Sequence, residues 1–131
     1  MSTKKKIGIG VISLGWMGRL HARSYRTVSE RFPELDAEAR LVVAADPIEQ
    51  ARRAATQDLG FERARADYRE LLADPEVEAV SICAPNYLHE EIALAAVEAG
   101  KPFWVEKPVG VSAEQARRVA HAATSAGLVT A

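Results

Sequence analysis

The chain has 131 residues, is 48% hydrophobic and carries a formal net charge of −1. That suits one domain with a sizeable core. The near-neutral balance, with no basic stripe along any predicted helix, argues against a nucleic-acid surface, and no apolar run is long enough to span a membrane. Lys4, Lys5 and Lys6 precede an apolar stretch, but no small-residue cleavage site follows, as a secretion signal would require. Cys83, the only cysteine, lies in the apolar run 80–84. A buried, reduced thiol and a cytoplasmic location are therefore expected. No His/Cys/Asp/Glu grouping has metal-ligand spacing, so no metal site is expected.

Along the chain, strands alternate with helices, which predicts an α/β fold with a doubly wound parallel sheet of about six strands and helices on both faces. The β-branched run 6–13 reads as a central strand. It leads into Ser13-Leu-Gly15-Trp-Met-Gly18 and then a helix from Trp16 to residues 29–32, with Leu20, Ser24, Val28 and Phe32 on its apolar face. A polar connection over 33–39 precedes a second strand at 40–45. Asp46-Pro47 then opens a helix that Gly60 closes. Residues 61–66 give a weak strand, and Asp67-Tyr-Arg-Glu70 has capping-box spacing for a short helix ending before Pro75. A strand at 77–84, the turn Pro85-Asn86 and a helix over 87–99, closed by Gly100, come next. The strand Phe103-Trp-Val105 runs into Glu106-Lys107-Pro108. Ser112-Ala-Glu-Gln115 then opens a helix presenting Ala116, Val119, Ala120 and Ala123, Gly127 ends it, and 128–131 begin a sixth strand.

Two of these junctions carry chemistry. Strand, glycine turn and helix in succession form the context of a dinucleotide fingerprint, G-x-G-x-x-G, with Ser13 in place of the first glycine. Gly15 lets backbone approach a pyrophosphate, Gly18 lets the helix pack on the strand, and the helix N-terminus offers free N–H groups. Ser13 is compatible with such a turn if its φ is negative. At the other junction, Lys107 at the carboxyl end of a buried parallel strand points into the crevice where open α/β sheets bind ligands. There its ammonium can meet a cofactor or substrate oxygen. Asp46, at the end of the second strand, can accept hydrogen bonds from ribose hydroxyls, worth roughly 1.5–3 kcal/mol each. It can equally cap the next helix, with Pro47 at the first helical position. A carboxylate there repels a 2′-phosphate and favours NAD over NADP, while Arg52 and Arg53 leave NADP open.

Three segments carry a family resemblance: Ile12-Ser-Leu-Gly-Trp-Met-Gly-Arg-Leu-His-Ala22, Ala84-Pro-Asn-Tyr-Leu-His89 and Ala99-Gly-Lys-Pro-Phe-Trp-Val-Glu-Lys-Pro108. In this order they resemble the N-terminal domain of the Gfo/Idh/MocA oxidoreductases over nearly the whole chain. The resemblance implies that residues 1–131 are an NAD(P)-binding Rossmann domain. It also implies a second, larger α/β substrate domain, absent from these residues, which carries an aspartate/histidine pair for proton transfer. It assigns Ser13, Gly15, Trp16, Met17 and Gly18 to the pyrophosphate turn and Asp46 to the ribose. Pro85 and Asn86 fall to the loop under the nicotinamide side, with Asn86 either bonding ribose or carboxamide or capping its helix. Glu106 then lines the nicotinamide site, and Lys107 orients the substrate hydroxyl and assists proton movement. Both are the catalytic-site candidates. His21 and His89 read as structural.

The expected function is hydride transfer between NAD(P) and a sugar, polyol or related carbinol compound. These residues alone are expected to bind the dinucleotide, to catalyse poorly or not at all, and to self-associate as a homo-oligomer. The alternative is a non-catalytic NAD(H)-binding or assembly module.

Overall fold

The computed structural model describes residues 3–131. Strands β1 (Lys5–Ile12), β2 (Ala37–Ala45), β3 (Arg63–Arg65), β4 (Ala79–Ile82) and β5 (Phe103–Val105) form a sheet in the order β3-β2-β1-β4-β5. All four pairings are parallel. Between them run α1 (Trp16–Arg31), α2 (Glu49–Ala54), α3 (Tyr68–Ala73) and α4 (His89–Glu98), and α5 (Ala113–Ser125) follows β5. Because β1 is flanked by both β2 and β4, the chain reverses its direction of travel across the sheet beside β1. That opens a crevice at the carboxyl ends of these strands.

The sheet buries two cores. Ile9, Val11, Ala22, Leu41, Ala51 and Phe61 pack on the side of α1 and α2. Val43, Leu71, Ile82, Ile92, Phe103 and Val119 pack on the side of α3, α4 and α5. The β1–β2 register slips by one between Ile9 and Gly10, and Val42 and Val43 both face the second core.

Helix punctuation follows the sequence closely. Gly60, Gly100 and Gly127 all take the left-handed conformation that ends a helix. Asp67 Oδ1 accepts the Arg69 N–H, and Ser112 Oγ accepts the Gln115 N–H. The Gln115 side chain reaches back to the Val111 N–H rather than that of Ser112.

Elsewhere the structure corrects the reading. Five full strands form the sheet, and 129–131 lie along β5 as the start of a sixth: Thr130 bridges Phe103 in parallel, the Phe103 N–H donates to Val129 O, the Ala131 N–H to Phe103 O and the Val105 N–H to Ala131 O. Strand β2 begins at Ala37 rather than residue 40, because Lys5, Lys6 and Ile7 of β1 extend the ladder along Ala37, Glu38 and Ala39. Strand β4 covers only Ala79–Ile82 of the expected 77–84. Pro47 is not the first helical position, since α2 starts at Glu49 behind Ile48. The face of α1 also differs: Gly18 and Ala22 are its buried residues, while Leu20 and Phe32 are exposed. Likewise α5 buries Val119 and Ala123 but leaves Ala120 exposed.

Candidate functional site at the carboxyl edge of the sheet

The turn after β1 is built around an unfavourable backbone conformation. Ser13 has φ +73, not the negative value expected for a serine here. Its N–H donates to Ala45 O (2.7 Å), and the next N–H, of Leu14, donates to Asp46 Oδ2 (2.8 Å). Both bonds come from the end of β2, so the neighbouring strand holds the turn in the left-handed region. Gly18 answers from the helix side. A Cβ there would lie 1.9 Å from Ser13 O, so the turn itself, more than the strand, requires glycine.

Gly15 has a different role. It precedes α1 and offers no side-chain cap, and the first helical turn contains no acidic residue. The N–H groups of Trp16, Met17 and Gly18 therefore have no intrahelical acceptor. A Cβ at Gly15 would meet no protein atom within 4 Å. Open space in front of unpaired N–H groups and a helix dipole is the cradle that a pyrophosphate fits.

From this turn the crevice extends both ways. On one side Ser13, Gly15, Asp46, Ile48, Ala84 and Pro85 line a cleft. On the other, Ser13, Gly15, Ala84 and Pro85 recur with Asn86, Glu106 and Lys107, so the two halves form one continuous groove. All ten residues assigned to the site from the sequence sit on this edge: Ser13, Gly15, Trp16, Met17, Gly18, Asp46, Pro85, Asn86, Glu106 and Lys107.

Asp46 is buried, and both carboxylate oxygens are in use. Oδ2 takes the Leu14 N–H, and Oδ1 takes the Ile48 N–H (2.9 Å). A carboxylate oxygen accepts more than one hydrogen bond, so each retains capacity for a ribose hydroxyl. Arg52 Nη1 donates to Asp46 O (3.0 Å) and Pro47 O (2.8 Å), and Arg53 pairs with Glu49. Both guanidinium groups are thus committed locally. Arg19, not singled out from the sequence, also lines the Asp46 side, its Nε donating to Leu14 O (3.2 Å).

At the opposite end, Asn86 is exposed within a 3-10 turn (Asn86–Leu88), and no side-chain cap opens the turn or α4. It is therefore not the helix cap. Lys107 is exposed, without an ion-pair partner among the described residues. Glu106 is mostly shielded, and its Oε1 lies 2.7 Å from His21 Nε2. His89 is buried, with Nδ1 2.6 Å from Pro108 O and Nε2 2.7 Å from Ala84 O. The two histidines grip the Glu106-Lys107-Pro108 segment from α1 and α4. Cys83, expected to be buried, is half-buried and lines this end of the groove; partial burial and then the Glu106 charge push its thiol up to about 12. His89 ties Pro108 and Ala84 together through its ring nitrogens and also lines this half of the groove. His21 does more than pack: three positions beyond Gly18 and four before Tyr25, it shares their sheet-facing side, a pattern that the apolar row on α1 obscured.

Residues 7–131 match the family described as "Oxidoreductase family, NAD-binding Rossmann fold", GFO_IDH_MocA. Among similar proteins, levoglucosan dehydrogenase of Pseudarthrobacter phenanthrenivorans is 35% identical over 95% of this chain and 32% of its own length. Inositol 2-dehydrogenase of Paracoccus denitrificans is 39% identical over 91% of this chain and 34% of its own. An NAD binding oxidoreductase from Klebsiella pneumoniae superposes with a TM-score of 0.90 at 40% identity, covering 95% of this chain and 33% of that one. A levoglucosan dehydrogenase in complex with NADH superposes with the same TM-score, 0.90, at 30% identity, covering 96% and 34%. The chain thus spans about a third of the length of the relatives it matches. With its glycine turn, switch point and sheet order in place, the chain belongs to the Gfo/Idh/MocA oxidoreductases and is an NAD-binding Rossmann fold of that family.

Proposed function

We propose that residues 1–131 form the dinucleotide-binding domain of a dehydrogenase that moves a hydride between NAD and a carbinol carbon of a sugar or polyol. The observation that carries this reading is the continuity of one groove from Asp46, past the uncapped N-terminus of α1, to Glu106 and Lys107. Asp46 receives the adenosine ribose, the N–H groups of Trp16, Met17 and Gly18 receive the pyrophosphate, and Pro85 and Asn86 border the nicotinamide side. Nicotinamide supplies the hydride acceptor or donor. Lys107 stands where its ammonium can hydrogen-bond a substrate hydroxyl and assist departure of its proton, with Glu106 beside it. Binding of levoglucosan, sorbose and scyllo-inositol in solved relatives supports a polyhydroxylated substrate class. Completion of the substrate pocket by a second domain, assembly into a homo-oligomer and a cytoplasmic setting belong to the same proposal. No helix among the described residues is long and apolar enough to cross a membrane.

Equilibrium titration of the chain with NADH and NADPH tests the reading. Saturable binding with NADH preferred is expected, because the Asp46 carboxylate repels a 2′-phosphate and Arg52 and Arg53 are engaged elsewhere. Absence of binding by either nucleotide would move the assembly-module reading ahead.

A further inference from the structure

Beneath Glu106 lies a row of polar side chains that the dinucleotide site does not use. Tyr25 OH is 2.7 Å from Ser81 Oγ, Ser81 Oγ is 2.9 Å from His21 Nδ1, and His21 Nε2 is 2.7 Å from Glu106 Oε1. Ser81 is fully buried in β4, and the side chains of His21 and Glu106 expose only 10% and 16%. The Glu106 carboxylate only accepts, so His21 Nε2 donates to it. Ser81 Oγ links the other ring nitrogen to Tyr25, and because each hydroxyl can donate or accept, every polar atom of the row has a partner. Trp104 packs edge-on against the ring at 5.3 Å and closes another side.

Ser, His and Glu in this order have the makings of a nucleophile relay. Ser81 is at 0% exposure, so no substrate reaches it and the hydrolytic reading fails. What the row does accomplish is mechanical and electrostatic. It fixes one oxygen of Glu106 and leaves Oε2 free of any partner among the described residues, on a residue that lines the groove. Lys107, next in the chain and also lining the groove, carries the opposite charge on an exposed side chain, whereas the Glu106 charge is shielded and held still.

We propose that His21 is a positioning residue that holds the Glu106 carboxylate toward the nicotinamide end of the groove and thereby favours the oxidised, cationic ring over the neutral reduced one. The inference rests on the dinucleotide reading of the groove. Its physical basis is that a fixed negative charge in a partly desolvated cleft acts on NAD+ and not on the uncharged ring of NADH. Released into water, the same carboxylate would be screened and mobile.

The test is the ratio of dissociation constants, Kd(NAD+)/Kd(NADH), measured by calorimetry on the chain and on Glu106→Gln, His21→Leu and His21→Gln. Glu106→Gln removes the charge, and the ratio is expected to rise about tenfold. His21→Leu should raise it several-fold, and His21→Gln, whose carboxamide can donate to Glu106 and accept from Ser81, should restore most of it. A merely structural role would weaken both nucleotides equally and leave the ratio unmoved, which overturns the proposal. Should His21→Leu fail to fold, an unchanged ratio in Glu106→Gln overturns it alone. If the unaltered chain binds neither nucleotide, the dinucleotide reading itself falls, a result distinct from binding with an unmoved ratio.

Discussion

Replacing Asp46 by asparagine keeps the shape of the side chain and removes half of its accepting capacity. In the folded chain Oδ2 accepts from the buried Leu14 N–H and Oδ1 from the Ile48 N–H, at 2.8 and 2.9 Å. Asparagine can offer oxygen to only one of them, and its NH2 group then faces another donor. The favoured arrangement keeps oxygen on Leu14 and turns the amide toward Ile48, where water can compensate part of the loss. One charge-assisted bond is lost and the other becomes neutral, for a cost of about 2–4 kcal/mol. For a chain of 131 residues, with an unfolding entropy of about 2 cal/mol/K per residue, that lowers the melting temperature by roughly 8–15 °C. Thermal melts followed by circular dichroism measure this, with Asp36→Asn, at an exposed position, as a control expected to stay near the parent. A shift under about 3 °C for Asp46→Asn would refute the claim that the carboxylate holds the turn after β1 to the end of β2.

Three further outcomes follow from the same geometry. Ser13→Gly relieves a left-handed serine and should stabilise by about 1 kcal/mol, with NADH affinity little changed because the turn is already formed; a lower melting temperature would contradict it. With the Cys83 thiol raised to about 12 by burial and by Glu106, alkylation at mildly alkaline pH should be about a thousandfold slower in the folded chain than in urea. Equal rates would show that the thiol is not held neutral. Arg40 bonds Glu62 and Glu76 and draws both carboxyls below their ordinary range. Their stabilisation is present above the ordinary glutamate range and is lost as pH falls through the lowered values. Melting temperature should therefore drop on acidification, less steeply in Arg40→Leu and in high salt. An unchanged acid slope in Arg40→Leu would exclude this network as a contributor.

What was legible in the sequence was local. The β-branched run of β1, the glycines that end three helices and the Ser112 cap each carry their instruction within a few residues, and the structure follows them. Distant partners account for the departures. The beginning of β2 depends on pairing with Lys5, Lys6 and Ile7, more than thirty positions away. Ser13 takes a positive φ because Ala45 and Asp46 pin the turn from another strand. The buried face of α1 departs from its apolar row because its sheet-contacting residues are small or polar. Gly18 fits against Ser13 O, Ala22 is buried, and His21 and Tyr25 meet Ser81. An apolar periodicity cannot weigh a histidine whose partner is a serine sixty residues on. For the acidic residue after β2, local sequence supports ribose contact or a helix cap. The structure adds a third engagement, the Leu14 N–H, which no local spacing encodes.

The central claim is that one groove at the carboxyl edge of the sheet receives the whole dinucleotide. Amide chemical-shift mapping of the nitrogen-15-labelled chain on titration with NADH addresses it most directly. The account predicts saturable shifts at residues 13–18, 46–48, 84–86 and 106–107, the segments that line the two halves of the groove. Shifts confined to the Asp46 side, or centred on another surface, would contradict it.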